Sequence, residues 1–385
     1  MYNRVLDIQT IIQRKSLFLF GPRQTGKSFY LKHHYKNCLY YDLLKTDLFF
    51  RLVSNPSLLR EEVLADSNNK IIIIDEIQKL PVLLDEVHYL IEEYGKKFIL
   101  TGSSARKLKY GASNLLGGRA LTRHLYPLVS KEIPDYDLQR IINFGSLPAI
   151  YDSPEPIEDL EAYVGTYLKE EIQAEGAVRK LEQFSKFLNL AAISNTEIVN
   201  FSSIGSDIGL PAKTIREYFR ILEDTLIGVL LEPYSKTIKR KATTKAKFYY
   251  FDIGVANILA NRFSIKPHTE LFGKSFEHFI YLELHAFLDY YKIRQALSFW
   301  RSQSGYEVDF LIGDKIAIEV KGSAMVKEKH CRGLNALAED LELDKKIIVS
   351  MDPHRRLLGD IEVIPYREFL QSLWDKSLLK GAFSF

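Results

Sequence analysis

Residues 21–28, Gly-Pro-Arg-Gln-Thr-Gly-Lys-Ser, fit the pattern G-x-x-x-x-G-K-[ST] without a gap. The segment follows the apolar run 16–20 and precedes a stretch of helical character. Its glycines let the backbone curl so that N–H groups point inward at phosphates. A chance glycine turn is the alternative, and the flanking strand and helix argue against it. The segment therefore predicts a phosphate-binding loop in an α/β fold, with a parallel sheet between helices.

The pattern assigns roles to the loop residues when a nucleoside triphosphate binds. Lys27 is expected to reach the β- and γ-phosphates, and Ser28 to offer its hydroxyl to Mg²⁺. The helix that begins near Lys27 adds its positive end to the attraction for phosphate. The predicted nucleotide contacts are Gly21, Pro22, Arg23, Gln24, Thr25, Gly26, Lys27 and Ser28.

Two further apolar runs end in polar residues, at the sheet edge where the loop is expected. A run of four isoleucines is followed by Asp75 and Glu76. Asp75 is predicted to hold Mg²⁺, and Glu76 to polarise the water that attacks the γ-phosphate. The alternative role of these two residues is to cap the next helix, but capping does not explain why two adjacent carboxylates are buried at a cost in free energy. The run 98–101 leads to Ser103 and Ser104, whose hydroxyls are candidates to sense the γ-phosphate, and for Ser104 alone capping of the following helix is the alternative.

The composition is that of a folded protein with several domains. Of 385 residues, 46% are hydrophobic and 26% charged, which excludes a disordered or fibrous chain. A net charge of +3 neither requires nor excludes nucleic acid. Cys38 and Cys331 match no metal or redox spacing and are expected to be reduced thiols. Since no secretion-signal pattern or long apolar run is present, we expect a cytoplasmic protein without membrane contact.

Changes in pattern divide the chain into three predicted units. The segment 152–156, Asp-Ser-Pro-Glu-Pro, is the best linker. The α/β unit is predicted at 1–152, a helical linker with a second unit at 153–255, and a third unit at 256–385. The third unit opens with a long predicted helix, Gly273–Asp289, and then turns to strands.

The N-terminal motifs resemble those of AAA+ ATPases, in particular the bacterial and archaeal AAA-type ATPases that carry a C-terminal domain of unknown function. The matching segments are 21–28, Ile-Asp-Glu-Ile-Gln at 74–78, Leu-Thr-Gly-Ser-Ser at 100–104, Leu-Leu-Gly-Gly-Arg at 115–119 and Leu-Tyr-Pro-Leu at 125–128. The resemblance covers nearly the whole chain. It implies a nucleotide-dependent conformational machine that binds and hydrolyses ATP with Mg²⁺.

The same resemblance implies an arginine that completes the ATPase site. Arg119 resembles this arginine, acting in cis or from a neighbouring subunit of an oligomer. An arginine in that place neutralises charge that develops on the transferred phosphoryl group. Arg106 and Arg123 are alternative candidates for this role. An arginine in a glycine-rich turn is also often exposed to solvent without a catalytic role.

Residues 202–218 have the pattern of a helix, a glycine-bearing turn and a second helix. Apolar strands follow at 227–231 and 247–251. A helix-turn-helix followed by a hairpin is typical of a winged helix, which in other proteins is a DNA-binding or a protein-contact module.

The loop of that hairpin, residues 235–247, carries six lysines and arginines and no acid. This loop is predicted to lie on phosphates, with helix 213–222 toward a groove of nucleic acid. A merely solvated basic loop is the alternative. The candidate nucleic-acid contacts are Lys213, Arg216, Arg220, Lys239, Arg240 and Lys241.

The most informative stretch outside the phosphate loop is 306–321, which predicts a hairpin of two alternating strands. Pairing the apolar faces of its strands sets Ile312 opposite Ile316, and therefore Asp309 opposite Glu319. A divalent cation explains why two carboxylates converge there. A solvated sheet face with a cross-strand salt bridge explains the alternation equally simply.

Asp309, Glu319 and Lys321 match the signature of PD-(D/E)XK nucleases, which are metal-dependent phosphodiesterases. Glu277 resembles the helical acid of the RecB-like branch, and the dipeptide 300–301 also agrees with the pattern. The chain departs from the signature in having no proline before Asp309. The resemblance implies a second divalent ion at this site, with Lys321 positioning water or stabilising charge on phosphate.

Together these patterns predict an ATPase that couples its nucleotide state to nucleic-acid binding or cleavage. The alternatives are a regulatory ATPase with a non-catalytic C-terminal sheet, and an ATP-gated DNA-binding switch. The implied catalytic residues are Lys27, Glu76, Arg119, Asp309, Glu319 and Lys321. The implied metal ligands are Ser28 and Asp75 in the first site, and Glu277, Asp309 and Glu319 in the second.

Overall fold

The computed structural model describes residues 2–66, 71–103, 116–168, 181–237 and 239–383. Ser104 and Arg106 therefore lie outside the described residues. The strands of the N-terminal unit are β1 Ser16–Phe20, β2 Leu39–Asp42, β3 Ile71–Asp75, β4 Lys97–Gly102 and β5 Ala120–His124. Its helices are α1 Ile8–Arg14, α2 Lys27–His34, α3 Thr46–Ser54, α4 Leu58–Ala65 and α5 Leu83–Tyr94.

These strands form one parallel sheet in the order β2-β3-β4-β1-β5. The central strands β1, β3 and β4 are almost entirely buried, as unbroken apolar runs covered on both faces require. The predicted α/β class is confirmed, and β1 coincides with the apolar run 16–20. The mixed sequence of β5 gave no strand signal. Because the strands are parallel, their carboxyl ends share one edge of the sheet with the phosphate loop.

The middle of the chain is mostly helical. Its elements are α6 Leu138–Phe144, α7 Pro148–Tyr151, α8 Pro156–Ala162, a π-helical stretch Tyr163–Leu168, α9 Leu181–Ile193, α10 Phe201–Ile208, α11 Ala212–Asp224, β6 Gly228–Leu231, β7 Lys247–Tyr250 and α12 Ile253–Leu259. Asn200 caps α10, which ends at Gly209 in a left-handed conformation, and Pro211 precedes α11. β6 and β7 pair in antiparallel fashion. The winged-helix assignment stays a prediction.

The C-terminal unit contains a six-stranded sheet in the order β12-β13-β11-β10-β9-β8. Its elements are α13 Glu270–Tyr290, β8 Leu297–Arg301, β9 Glu307–Ile312, β10 Ile316–Lys321, α14 Arg332–Ala338, β11 Lys345–Ser350, β12 Arg356–Leu358, β13 Ile361–Pro365 and α15 Tyr366–Trp374. Ile316 pairs with Ile312 in the predicted hairpin register.

Helix α13 connects the three units through one continuous hydrophobic core. Thirteen of its 21 residues are buried. The hydrophobic cluster that contains ten of them also includes residues of β1, α6, β7 and the C-terminal sheet. No described helix is long and apolar enough to cross a membrane.

Packing of α12 against α6 gives a test of the fold. A Cβ added at Gly254 would lie 2.1 Å from the carbonyl oxygen of Phe144. Since relief of this clash would require the backbone to shift, we expect Gly254→Ala to lower the free energy of unfolding by about 2 kcal/mol or more. Gly273→Ala is the matched control, because nothing lies within 4 Å of its added Cβ and alanine favours the helix. Equal denaturant midpoints for the two variants would contradict this packing.

Candidate nucleotide site and carboxylate cluster

The phosphate loop joins β1 to α2 in a conformation that requires its glycines. A Cβ added at Gly21 would lie 2.3 Å from the carbonyl oxygen of Leu125, and Gly26 has a φ of +93°. Lys27 is buried, and its Nζ donates to the carbonyl oxygens of Gly21 at 2.6 Å and Pro22 at 2.9 Å. The ammonium is therefore held at the loop that is expected to receive phosphates.

Asp75 lies at the carboxyl end of β3, beside this loop, and both of its carboxylate oxygens accept hydrogen bonds. The Tyr40 hydroxyl donates to Oδ2 at 2.5 Å, and the Thr101 hydroxyl donates to Oδ1. Burial and the Asp75 carboxylate raise the pKa of Tyr40 above its usual range, which keeps the hydroxyl protonated.

Glu76 has a left-handed backbone conformation, with a φ of 64°. Its N–H donates to Thr101 Oγ1 at 3.0 Å, and its carboxylate accepts a hydrogen bond from Gln78. Gln78 Nε2 also lies 3.2 Å from Ser103 Oγ, so it connects the predicted water-polarising acid to the predicted phosphate sensor. A cleft of about 310 Å³ lies between the phosphate loop, Glu76 and Leu44.

Sequence reasoning missed Tyr40 and Gln78. Gln78 lies in the matching segment 74–78, so its place in the motif was the available signal. No local pattern marks Tyr40. Its contact with Asp75 exists only because β2 pairs beside β3 in the sheet.

A second cleft, of about 370 Å³, shares Gln24, Gly26 and Phe29 with the first. Its other lining residues are Tyr2, Arg4, Tyr30, Leu128, Pro148, Ala149 and Asp152. Aromatic and apolar walls beside a phosphate loop suit a flat ring.

Arg4 connects this cleft to the loop and to α13. Its guanidinium donates to the carbonyl oxygens of Thr25 at 2.8 Å and Tyr126 at 2.5 Å. Its Nε lies 3.0 Å from the buried carboxylate of Glu132. The Tyr126 N–H donates to the Tyr290 hydroxyl at 3.2 Å. A short series of polar contacts therefore runs from the phosphate loop to the last turn of α13.

Arg119 lies at the opposite edge of the sheet from the loop. The next residue, Ala120, pairs with Ser16 at the start of β1, whereas the loop follows the end of β1, at least about 13 Å away. Arg119 forms an ion pair with Glu92 of α5. This placement contradicts the prediction that Arg119 completes the site of its own chain. A contribution to a neighbouring subunit stays a prediction, and Arg123 lies nearer the loop, opposite Leu19.

Helix α11 has an exposed face with the three predicted nucleic-acid residues Lys213, Arg216 and Arg220. The Arg216 guanidinium lies 5.3 Å from the ring centre of Phe201, and Arg220 pairs with Glu217 at 3.0 Å. The helix contains three basic and three acidic residues, so it has no net charge. A role for this face in nucleic-acid binding stays a prediction.

Residues Lys239 and Arg240 of the basic loop contact the C-terminal unit. The Lys239 N–H donates to Asp340 at 2.6 Å, and its Nζ donates to the carbonyl oxygen of Glu339 at 2.7 Å. Arg240 pairs with the Glu339 carboxylate at 2.8 Å, and Lys241 is exposed. Lys239 and Arg240 therefore already contact the acids that follow α14, and their predicted role in nucleic-acid binding stays a prediction.

The β9–β10 hairpin brings the predicted C-terminal residues together. Asp309 and Glu319 are both buried, and the Asp309 carboxylate accepts a hydrogen bond from the Val320 N–H at 2.8 Å. Lys321 Nζ lies 2.5 Å from Glu319 Oε1 and 4.0 Å from Asp309 Oδ2. Helix α13 adds Glu277 to the same cluster. The fold therefore brings together the C-terminal residues that the resemblance implied.

Lys247, at the start of β7, is also in this cluster, although the sequence placed it in the basic loop. Its Nζ lies 2.6 Å from Glu307, 3.1 Å from Glu277 and 3.7 Å from Asp309. The Tyr249 hydroxyl donates to Glu277 at 2.7 Å. Within the described ranges, no three His, Cys, Asp or Glu side chains are arranged to hold a metal ion. The predicted second metal site is thus corrected: an ammonium group contacts two of its three ligands.

Burial and mutual repulsion shape the ionisation of this cluster. Burial, followed by the charge of Asp309, raises the pKa of Glu319 above its ordinary value of 4.5, and Lys321 only partly offsets this. Burial alone would lower the pKa of Lys247, but Glu277, Asp309 and Glu307 outweigh it and raise the pKa. Lys247 is therefore a permanent cation at neutral pH.

Comparison with known families divides the chain into three matching segments. Residues 13–134 match the family described as AAA domain. Residues 135–266 and 272–369 each match a domain of unknown function, DUF8612 and DUF4143. Residues 13–134 are therefore similar to AAA domains and fold as the α/β sheet with a phosphate loop described above, and the two other matches carry no functional description.

Similar proteins span most of the chain. An uncharacterized protein of Methanocaldococcus jannaschii is 23% identical over 414 aligned positions, which cover 94% of this chain and 90% of that protein. AMPPCP-bound DnaA from Aquifex aeolicus is 12% identical with a TM-score of 0.30, covering 55% of this chain and 82% of that one. The Aeropyrum pernix ORC1 protein in complex with DNA is 10% identical with a TM-score of 0.25, covering 64% and 86%.

The raised pKa of Glu319 predicts a pH-dependent stability. A carboxyl group with a raised folded-state pKa stabilises the fold below its ordinary pKa, and this contribution is lost as the pH rises through the raised value. As the pH rises from about 5 to about 9, the free energy of unfolding of Glu319→Gln should therefore increase relative to that of wild type by about 1 kcal/mol or more. Urea unfolding across that range checks this. Exposed Glu342→Gln is the control, and parallel curves for Glu319→Gln and wild type would refute the expectation.

Proposed function

We propose that this protein hydrolyses ATP with Mg²⁺ in its N-terminal unit, and that the nucleotide state controls a C-terminal unit that acts on nucleic acid. The observation that carries the ATPase assignment is the phosphate loop beside Asp75 and Glu76, in a segment similar to an AAA domain. The free thiols Cys38 and Cys331 agree with the reducing cytoplasm as its location.

The residues around the loop fit a magnesium ion. Ser28 and Asp75 supply the hydroxyl and carboxylate oxygens that Mg²⁺ prefers, and the Tyr40 hydroxyl already donates a hydrogen bond to Asp75. Bound Mg²⁺ supplies charge neutralisation for the phosphates. Lys27 exchanges its carbonyl partners for phosphate oxygens, and Glu76, oriented by Gln78, polarises the attacking water.

The second cleft is the proposed place for the adenine base. It adjoins the loop through Gly26, and Phe29 lines both clefts. Tyr2, Tyr30 and Pro148 supply flat or apolar contacts for a ring. Because Arg4 contacts both this cleft and the Thr25 carbonyl, occupancy of the cleft is transmitted to Tyr126 and so to α13.

A second candidate function is metal-dependent cleavage of a phosphodiester. The placement of buried Asp309 and Glu319 beside the half-buried Glu277 and Lys321 favours it. With Lys247 in contact with Glu277 and Asp309, these residues do not fit a divalent ion as they stand. A regulatory role, in which the C-terminal unit binds without cleaving, agrees better with this arrangement.

Replacement of Lys27 tests the ATPase assignment. Lys27→Ala removes the cation expected at the β- and γ-phosphates, so the Kd for ATP should rise at least about 30-fold and turnover should fall to background. The matched control is Lys36→Ala, an exposed lysine just after α2. Phosphate release and equilibrium binding of labelled ATP measure both. Persistent Mg²⁺-dependent turnover in Lys27→Ala would overturn the assignment.

Filling the second cleft tests the position of the base. Ala149 is exposed at its rim, so Ala149→Trp should fold normally and obstruct the ring. We expect the Kd for ATP to rise about tenfold or more and the Kd for inorganic triphosphate, which has no base, to stay unchanged. Isothermal titration with both ligands separates the two effects. An equal rise of the Kd for ATP and the Kd for inorganic triphosphate would place the obstruction at the phosphates instead.

A further inference from the structure

A cleft of about 720 Å³ lies where the three units of the chain meet. Its lining comes from β5, from β6, from the last turns of α13 and from the segment that leads into β8. The phosphate loop and the carboxylate cluster, whose residues the structure describes, contribute nothing to this lining. The cleft is large enough for a small molecule, and such sites often lie at junctions between domains.

Arg123 of β5 is the contribution of the N-terminal unit to this cleft. It is half-buried, and its Nη1 donates to the carbonyl oxygen of the adjacent Thr122 at 2.8 Å. Burial lowers the pKa of Arg123, and the charge of Asp289 only partly offsets this. The Asp289 carboxylate is already bound by Lys292 at 2.7 Å and by His124 at 3.2 Å. The Arg123 guanidinium therefore lacks an ion-pair partner of its own among the described residues.

A second guanidinium lines the same cleft. Arg294 lies in the segment after α13, is exposed and forms no ion pair within the described part of the chain. The lining contains three basic residues against two acidic ones, Asp289 and Glu232, so its net charge is +1. A guanidinium group presents a planar set of donors that matches the oxygens of a carboxylate or a phosphate. The lining thus favours an anion.

Tyr281 and His285, one turn apart on α13, form the aromatic part of the wall. Their ring centres are 5.5 Å apart with nearly parallel planes, and Tyr249 stacks on Tyr281 at 4.0 Å. Leu231 and Leu288 add aliphatic surface. Burial lowers the pKa of His285 to about 4, so its imidazole is neutral at neutral pH. A fixed stack of rings with apolar neighbours suits a flat ring.

This wall also has unused hydrogen-bonding capacity. Tyr281 is 1% exposed, and its hydroxyl has no hydrogen-bond partner among the described residues. The His285 ring nitrogens likewise have none within the described ranges. A neutral imidazole offers one donor and one acceptor. Since polar groups at a buried wall are normally paired, polar atoms of a bound molecule would supply the missing partner.

We infer that this cleft binds a small organic anion that carries a flat ring. The ring lies against Tyr281 and His285, and a phosphate or carboxylate group lies on Arg123 and Arg294. Because these residues belong to the N-terminal unit and to the C-terminal unit, with β6 of the middle segment between them, occupancy stabilises one arrangement of the three units. The inference does not depend on ATP turnover.

Isothermal titration with four probes tests the ligand class. All proteins carry Lys27→Ala, so that the phosphate loop contributes little binding, and this variant is the parent. 1-Naphthyl phosphate and 1-naphthoate join a ring to an oxyanion, and we expect the better of them to bind once per chain. 1-Naphthol and inorganic phosphate, which each lack one half of that chemistry, should bind at least about tenfold more weakly. Equal Kd values for inorganic phosphate and 1-naphthyl phosphate would overturn the ring contact.

Replacement of the two arginines tests the location. Arg123→Met and Arg294→Met should each raise the Kd of the tighter naphthyl probe at least about tenfold, because each removes one guanidinium from the oxyanion. Arg123→Lys, which keeps the charge, should restore part of the lost affinity. Arg14→Met, an exposed arginine that does not line the cleft, should behave as the parent.

Thermal melting gives a second readout and guards against a folding defect. The tighter probe should raise the melting temperature of the parent and of Arg14→Met, and raise that of Arg123→Met much less. If Arg123→Met does not fold, Arg294→Met decides, because Arg294 is exposed and has no ion pair to lose. Failure of every probe to bind the parent, or equal Kd values for the parent and the folded arginine variants, overturns the inference.

Discussion

The polar side chains buried on α13 need partners, and every unit of the protein supplies some of them. Glu277 is met by Lys247 and Tyr249 of β7. Further along the helix, Glu283 accepts hydrogen bonds from the Ser130 N–H at 2.6 Å and from Trp374 Nε1 at 2.6 Å. Since a buried charge or amide without its partner costs several kcal/mol, the three units are held in one relative arrangement by these contacts.

This constraint supports the proposal that the phosphate loop and the carboxylate cluster are coupled. Arg4 contacts the loop at the Thr25 carbonyl and reaches α13 through Tyr126 and Tyr290, whereas Glu277 lies near the other end of the same helix. Burial raises the pKa of Glu283 to about 7, so the contact between the N-terminal unit and α13 also responds to protonation. A change in the loop therefore has a continuous path of packed and hydrogen-bonded groups to the cluster.

The sequence predicted those features of the fold that depend on residues close together along the chain. The phosphate loop, the buried strands β1 and β3 and the register of the β9–β10 hairpin followed from motif and periodicity, because each depends on neighbours in sequence. Tyr40 and Lys247 could not be assigned in this way. Lys247 has the sequence context of a phosphate-binding lysine, and only tertiary packing shows that its partners are carboxylates. The resemblance named Asp309 and Glu319 correctly as a pair but did not reveal the cation between the units.

The central claim is that the phosphate loop and the carboxylate cluster are coupled through α13. Amide hydrogen exchange of the full chain, with and without a non-hydrolysable ATP analogue and Mg²⁺, tests it most directly. The account predicts altered exchange in residues 21–28 together with α13 and β7, and no such change in Lys27→Ala. Changes confined to the loop and the strands beside it would contradict the coupling and leave two independent sites on one chain.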